Sequence, residues 1–158
     1  MRSFVYLLDP ETAIFRDAEL RDQNSISSIA DLIGSDVVQV IRFDEMHSLF
    51  VEEEALRAGF TAFTIFDGHA TPLAGKIALL GGDGRQPYRS PSITMVEAAR
   101  RFQCCRPVLD PVFAPVDRMA PKGLILAGAL ESLQVRIDRR TPLLLGDGAH
   151  SEYEDRGE

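Results

Sequence analysis

The apolar positions in the first half of the chain follow the period of β-strands. Residues 37–43 and 48–51 are rich in β-branched and aromatic side chains, and the polar segment 44–47 lies between them. This arrangement is typical of a β-hairpin. Because residues 37–43 are apolar on both faces, we expect that strand to be central in its sheet. Four further segments are predicted as strands for similar reasons: 4–8, 13–20, 60–66 and 76–80.

Two segments carry helix signals instead. Residues 26–33 place their isoleucines on one helical face, and Gly34 follows as a residue that commonly ends helices. A second helix extending to Phe102 is predicted to start at Ser92, or at Thr94, which has the spacing of a capping box with Glu97 three residues later. We expect both helices to pack on the sheet.

The second half of the chain begins with a segment rich in proline, 106–121, with prolines at positions 107, 111, 115 and 121. Proline lacks the N–H group that the interior of a helix or sheet requires. We therefore expect an extended, surface-packed segment without regular structure. After it, residues 124–128 and 133–137 are predicted as two separate strands.

Together these elements predict a single α+β domain over residues 1–145. The expected architecture is a mainly antiparallel sheet of about five to seven strands with two helices packed on it. Residues 146–158 are polar and charged, so we expect a flexible acidic tail there.

The net charge of the 158-residue chain is −7, and it is unevenly distributed. Residues 1–60 carry 12 acidic and 5 basic side chains, a balance of −7, whereas residues 61–150 carry 8 and 11, a balance of +3. Because no strongly basic surface is expected, direct nucleic-acid binding is disfavoured.

No segment approaches the ~20 apolar residues of a membrane helix, so we expect a cytoplasmic protein without a membrane partner.

The two cysteines, Cys104 and Cys105, are neighbours in the sequence. Adjacent cysteines form a disulfide only with strain, and two ligands are too few for a zinc site. We expect two reduced thiols with at least one in the core, and a redox pair is the alternative.

Several segments in the first hundred residues share a pattern with known proteins: 6–11, 32–34, 37–40, 51–56, 72–76 and 79–81. On these segments, residues 4–102 resemble a family of small uncharacterised proteins encoded by phages, plasmids and their bacterial hosts. The resemblance implies an α+β fold and a setting of mobile elements. It implies no functional residues, because the family has no established activity. Ala55 stands where the family often has glycine, and the chain from Arg106 onward has no counterpart in it.

The most distinctive candidate surface combines arginine and tyrosine, which are favoured at protein interfaces. Its residues are Arg85, Tyr88 and Arg89 on one loop, with Arg100 and Arg101 at the following helix. We predict that these five residues bind a partner protein, although an ordinary solvated loop would show the same composition.

An alternative candidate is a pocket at the ends of two predicted strands, formed by Asp67, His69, Asp83 and Arg85. Carboxylates beside an imidazole can act as acid and base, but Asp-Gly turns also explain Asp67 and Asp83.

The loop containing Asp83 lacks the Gly-Lys-Ser/Thr ending of a phosphate-binding loop. The sequence shows no Gly-x-Ser-x-Gly motif and no histidine next to a candidate nucleophile. We therefore predict no catalytic residue, metal or cofactor.

These observations favour a non-enzymatic interaction protein of a mobile element, which binds an unknown protein, with modulation of host defence as the candidate process. The alternative is an enzyme that handles a small molecule or nucleotide at the 67–85 strand ends. Self-association through edge strands is compatible with both hypotheses, so a homo-oligomer is also an expectation.

Overall fold

A computed structural model describes residues 2–55, 59, 61–120 and 123–146, without the side chains of 115–120 and 123–127. Pro121 and the predicted tail beyond Gly146 lie outside the described residues. The described elements are, in order, β1 (Ser3–Asp9), β2 (Ile14–Leu20), α1 (Ile26–Ile33), β3 (Val38–Arg42), β4 (His47–Glu52), β5 (Phe63–Phe66), β6 (Leu73–Ala74), β7 (Ile77–Gly81), α2 (Met95–Ala99), β8 (Phe102–Ala120), β9 (Gly123–Arg140) and β10 (Leu143–Leu145).

The strands form two sheets. The six-stranded sheet has the order β10-β2-β1-β7-β4-β3, and the four-stranded sheet has the order β6-β5-β8-β9. Most pairings in the larger sheet are antiparallel, as between Tyr6 and Leu79, but β10 pairs parallel to β2 with Leu143 opposite Ile14. The α+β class with two helices is confirmed. The larger sheet has six strands and is mainly antiparallel, as expected, whereas the second, four-stranded sheet and the parallel pairing of β10 with β2 were not predicted.

The six-stranded sheet is buried on both faces. Successive residues of a strand point to opposite faces, so Leu7 and Leu8 of β1 belong to two different apolar clusters. One cluster joins the sheet to the second sheet and α2, and it includes Leu8, Phe15, Leu49, Leu79, Phe66, Met95, Phe102 and Cys104. The other joins the opposite face to α1 and the loop after β7, and it includes Leu7, Phe50, Leu80, Ile29, Ile33 and Tyr88. Each fully buried side chain of this kind contributes about 1.5 to 3 kcal/mol to folding.

Both helices begin where the sequence signals place them. α1 ends at Gly34, whose φ of 72° is left-handed and whose N–H donates to the Ala30 carbonyl. α2 begins with the predicted capping box between Thr94 and Glu97, but it ends at Ala99, because the chain passes directly into β8. Neither helix of the described chain is long and apolar enough to cross a membrane.

The hairpin predicted from residues 37–51 is confirmed as β3 and β4, with Val40 opposite Phe50. The expectation that the first strand is central is wrong, because β3 is the edge strand of its sheet. Its apolar residues are only partly covered, and Val40 keeps 46% of its surface exposed. The central position belongs to β1 and β7, which are covered on both faces.

The proline-rich segment is the largest departure from the predicted fold. Instead of lacking regular structure, it belongs to the 19-residue strand β8, and the two strands predicted after it are one 18-residue strand, β9. Pro107, Pro111 and Pro115 are four residues apart, and backbone N–H groups alternate between the two edges of a strand. All three prolines therefore fall on one edge, where a missing donor is tolerated, and the other edge keeps its N–H groups.

The described residues form two compact units. One contains the chain up to Arg106 and from Arg139, and the other is Pro107–Asp138. The second unit consists of the outer parts of β8 and β9, so it is a two-stranded hairpin. A two-stranded hairpin alone is marginally stable in water, which makes its own side-chain contacts important.

Gly84 offers a test of how the loop after β7 packs on β3. Its φ is +85°, and a Cβ there would lie 2.8 Å from Val40 Cγ1, whereas Gly82 has φ +92° with nothing within 4 Å of its Cβ position. We expect Gly82→Ala to cost about 1 to 2 kcal/mol through backbone strain alone, and Gly84→Ala to cost about 1 kcal/mol more through the added clash. Urea unfolding measures the free energy of unfolding of each variant. Equal losses of stability in the two variants would contradict the contact of Gly84 with Val40.

Candidate interaction surface

An ion pair fixes the orientation of the side chains in the hairpin Pro107–Asp138. Arg136 Nε lies 2.6 Å from Asp110 Oδ2, and a second guanidinium nitrogen of Arg136 lies 4.0 Å from Asp138 Oδ1. Asp110 and Arg136 therefore point to the same face, although they belong to different strands. Because side chains alternate along each strand, the neighbours of these residues point to the opposite face.

The opposite face is apolar and uncovered. We call it the apolar hairpin face, and it consists of Leu109, Val135 and Ile137, the direct sequence neighbours of Asp110 and Arg136. Their exposed fractions are 61%, 65% and 41%, respectively. Large apolar residues exposed singly are ordinary, but three on one face of a two-stranded hairpin form a patch. Such a patch is typical of a surface that another protein covers.

The sequence contained part of this signal. Leu133, Val135 and Ile137 alternate with Gln134, Arg136 and Asp138, which is the pattern of a strand with one apolar and one polar face. The apolar residues of β8 were not predicted to lie in a strand, because prolines flank Leu109 on both sides and proline disfavours strands. Nothing in the sequence shows that the apolar face stays uncovered.

The five residues predicted to bind a partner do not share one environment. Tyr88 is buried, and its ring packs edge-on against Phe50 at 5.5 Å between centroids. Its N–H donates to the Gln23 carbonyl, so this residue anchors the loop after β7 to the core. Arg85 and Arg89 of the same loop are exposed, as is Arg100. A partner-binding role for these three arginines stays a prediction, whereas Tyr88 is not part of an exposed surface.

Arg101 is also engaged within the protein. Its guanidinium group lies 4.4 Å from the centroid of the Phe43 ring and 4.7 Å from that of Phe66, which are cation–π distances. The same group donates hydrogen bonds to the carbonyls of Phe43 and Asp67. Arg101 therefore joins the β3–β4 turn to the end of β5.

The alternative pocket of Asp67, His69, Asp83 and Arg85 divides into two local turns. Asp83 accepts a hydrogen bond from the Arg85 N–H, and the two side chains form an exposed ion pair at 3.8 Å. His69 donates its backbone N–H to the Phe66 carbonyl, which closes the turn after β5. Within the described part of the chain, no hydrogen bond or ion pair joins the Asp67–His69 turn to the Asp83–Arg85 turn. Asp-Gly turn chemistry accounts for Asp67 and Asp83.

The structure does bring a histidine next to a serine. His47 is 2% exposed, its Nδ1 lies 2.9 Å from Asp44 Oδ1, and its Nε2 lies 3.1 Å from Ser92 Oγ. The expectation that no histidine lies beside a candidate nucleophile is therefore wrong. Sequence reasoning missed this cluster because Ser92 is 45 residues from His47 and carries no motif.

The order serine, histidine, aspartate is that of a nucleophile, a base and an orienting acid. Here, however, the Ser92 backbone N–H also donates to His47 Nε2, at 3.0 Å. That bond occupies the lone pair that a general base would use, and it places the ring proton on Nδ1, facing Asp44. Burial raises the pKa of Asp44, but hydrogen bonds from the His47 ring and the Met46 N–H outweigh it and lower that pKa overall. The cluster therefore holds the segment before α2 against the β3–β4 turn.

Four of the six segments that carry the family resemblance, 6–11, 32–34, 51–56 and 72–76, converge on one cavity of about 240 Å³. It is lined by Asp9, Pro10, Glu11, Ile33, Glu52, Ala55, Gly59, Ala62, Gly75 and Lys76. Gly75 has φ +80°, and a Cβ there would lie 3.2 Å from Glu52 Oε2, so the close approach of two turns requires glycine. The shared pattern thus marks a junction between the β1–β2 turn, the end of β4 and the β6–β7 turn.

Both cysteines are buried in the described structure, Cys104 at 3% and Cys105 at 1% exposure. Burial raises the pKa of Cys104 to about 11, with smaller contributions from Cys105 and Asp9, and burial also raises the pKa of Cys105. Thiols with a raised pKa form little thiolate near neutral pH and are poor nucleophiles.

We predict that a soluble disulfide reagent such as Ellman's reagent leaves both thiols of the native protein unmodified at pH 8. In ~6 M guanidinium chloride, where unfolding removes the burial that raises their pKa, both thiols should react. Absorbance of the released chromophore counts the thiols. Rapid reaction of the native protein would favour the redox pair instead.

The His47 cluster is tested by comparing two variants. His47→Ala is expected to lower the free energy of unfolding by roughly 2 to 4 kcal/mol, because it leaves the Ser92 N–H without its acceptor and opens a cavity. Ser92→Ala keeps the backbone N–H bond, so we expect a loss below about 1 kcal/mol. Urea unfolding measures both, and a Ser92→Ala loss as large as that of His47→Ala would contradict a structural role carried by the backbone bond.

Two relatives cover most or all of the chain. Protein PsiB of Rhizobium leguminosarum bv. phaseoli is 79% identical over 131 residues, which are 83% of this chain and 98% of that protein. Uncharacterized protein y4iR of Sinorhizobium fredii is 52% identical over 158 residues, which are 100% of this chain and 98% of that protein. No protein-family model matches the chain, and no solved structure matches it. The chain therefore belongs to the family that contains these two rhizobial proteins.

Proposed function

We propose that the protein acts by binding another protein molecule through the apolar hairpin face, without catalysing a reaction. The observation that carries this proposal is the combination of three exposed large apolar side chains, Leu109, Val135 and Ile137, on one face with the Asp110–Arg136 ion pair on the other. Burying a half-exposed side chain of this size is worth about 1 kcal/mol, so the face holds several kcal/mol of unused binding free energy.

The biological setting of the proposal is that of the family resemblance: a cytoplasmic protein of bacterial mobile elements that modulates a host process, with host defence as one candidate. The two relatives support a bacterial family, and one of them is named uncharacterised. Neither printed name states a binding partner.

The exposed arginines Arg85, Arg89 and Arg100 are proposed as a secondary contact. They lie in the part of the chain where the balance is +3, so they would favour an acidic partner surface. Contacts of this kind at the rim of an interface mainly raise the association rate, whereas buried apolar contacts mainly set the dissociation rate.

The test is a pull-down from lysate of the native host, with the tagged full chain as bait. Val135→Glu places a charge on the apolar hairpin face, and Gln134→Glu makes the same change of charge on the opposite face of the same strand. We expect a stoichiometric protein that is retained by the wild type and by Gln134→Glu but lost from Val135→Glu. Calorimetry with the purified captured protein should then show binding at least ~10-fold weaker for Val135→Glu.

A third bait, with both Arg85 and Arg89 changed to glutamate, separates the two contacts. If this bait loses the partner and Val135→Glu retains it, the binding surface is the arginine loop and not the apolar hairpin face. A folded wild-type bait that retains no protein would contradict the proposed function.

A further inference from the structure

The six-stranded sheet ends in a strand whose outer edge is open. β3 is the last strand in the sheet order, and within the described chain only β4 pairs with it. We propose that this edge binds a basic, extended segment of another protein, which adds to the sheet as a further strand. The edge shares no residue with the apolar hairpin face, so it is a second binding surface beyond the proposed function.

The hydrogen bonds between β3 and β4 show which backbone groups face outward. The Phe43 N–H donates to the His47 carbonyl, and the Glu53 N–H donates to the Val37 carbonyl. In an antiparallel pair, residues that exchange hydrogen bonds with the neighbouring strand alternate with residues that do not. The residues whose N–H and C=O groups point away from β4 are therefore Val38, Val40 and Arg42.

This edge lacks the features that usually prevent strand pairing. Proteins protect an open edge with prolines, lysines or β-bulges. The five residues of β3, Val38–Arg42, include no proline and no lysine, and each pairs with one residue of β4 without a bulge. A strand added at this edge therefore meets regularly spaced donors and acceptors along the whole of β3.

The surroundings of the edge are strongly acidic. Residues 36–54, which include β3, β4 and the turn between them, carry six acidic side chains and one basic side chain, a balance of −5. The six acidic residues are Asp36, Asp44, Glu45, Glu52, Glu53 and Glu54. Carboxylates thus lie at both ends of β3. Such a field attracts a basic segment and repels an acidic one.

An open depression of about 460 Å³ lies beside the edge. Its lining residues are Val40, Arg42, Asp44, Glu45, Ser48 and Asp83. Asp44 and Asp83 have local partners in His47 and Arg85, whereas Glu45 is exposed and forms no hydrogen bond or ion pair with the described residues. With three carboxylates and one guanidinium group, the lining has a charge of −2, so it favours a cationic side chain.

The depression lies on the face to which an added strand would direct every second side chain. Val40 and Arg42 share this face with Ser48, which is opposite Arg42 on β4. The half-exposed Val40 side chain offers an apolar wall to the methylene groups of a lysine or arginine. The charged end of that side chain then reaches Glu45. Lysine or arginine at alternate positions therefore fits the edge and the depression together.

The same charges make a second copy of this chain an unfavourable occupant. Antiparallel pairing of two β3 strands centred on Val40 would place Asp44 of each copy opposite Asp36 of the other. Like charges opposite each other on paired strands are destabilising. Two segments that each carry a balance of −5 also repel one another as they approach. A basic segment of a different protein meets neither obstacle.

The test is a nuclear magnetic resonance titration of the ¹⁵N-labelled full chain at low salt. The probe is a peptide of about ten residues that alternates lysine with valine and has blocked termini. We expect saturable shifts with a dissociation constant below ~1 mM. The largest shifts should occur at the amides of Val38, Val40 and Arg42, and smaller shifts at Gln39 and Ile41, whose N–H groups face β4.

Two changes separate strand addition from simple charge attraction. A peptide with the same side chains and a methyl group on every backbone nitrogen keeps its charges but cannot donate to the edge. Val40→Pro removes an outward N–H from β3, whereas the hydrogen bonds to β4 remain. Each change should weaken binding at least ~10-fold, because several backbone hydrogen bonds depend on it. Circular dichroism checks that the variant is folded, and if it is not, the methylated peptide decides.

A third comparison tests the preference for basic side chains. A peptide with glutamate in place of every lysine should not bind, and Glu45→Gln should bind the lysine peptide about 2- to 5-fold more weakly than the wild type. The proposal is overturned by equal binding of the methylated and unmethylated peptides, by equal binding of the glutamate peptide, or by the absence of saturable shifts at the β3 amides up to about 1 mM peptide.

Discussion

The structure depends on the requirement that the six-stranded sheet be covered on both faces. Its central strands β1 and β7 carry buried apolar side chains on both faces, so neither face can meet water without a large cost in free energy. The helix α1 and the loop anchored by Tyr88 cover one face, and α2 with the second sheet covers the other. The covering elements are thus part of the core.

This requirement also explains why the candidate surface lies in the hairpin. The first residues of β8 pair with β5 and bury Phe102 and Cys104 in the core, so this part of the strand is structural. From Pro107 onward β8 pairs only with β9, and the two strands have no second layer among the described residues of their unit. A face that would be core in a larger sheet is exposed here, and the proposed protein partner would supply the missing layer.

Elements whose signals are local could be predicted from the sequence. The capping box at Thr94, the left-handed Gly34 and the β3–β4 hairpin depend on residues a few positions apart, and each was found where predicted. The arrangement of strands depends on long-range pairing, so the edge position of β3 and the parallel partner β10 were not predicted. The prolines of β8 were misjudged because their effect depends on which edge of the strand they occupy, which composition does not show.

The candidate sites show the same division. Tyr88 was a reasonable interface residue by type, but whether it is exposed depends on Phe50, a residue 38 positions earlier in the chain. The His47–Ser92 contact likewise joins distant segments. The alternation of Leu133, Val135 and Ile137 was readable in the sequence, yet only the fold shows that no element of the described chain covers it.

The central claim, that protein covers the apolar hairpin face, is tested most directly by hydrogen–deuterium exchange of the backbone amides of residues 129–138. Exchange is measured for the wild type and for Val135→Glu under the same conditions, because covering the face stabilises the hairpin against local opening. The claim predicts that the captured partner slows exchange in the wild type and leaves exchange in Val135→Glu unchanged. Equally fast exchange of the wild type with and without that partner would contradict it.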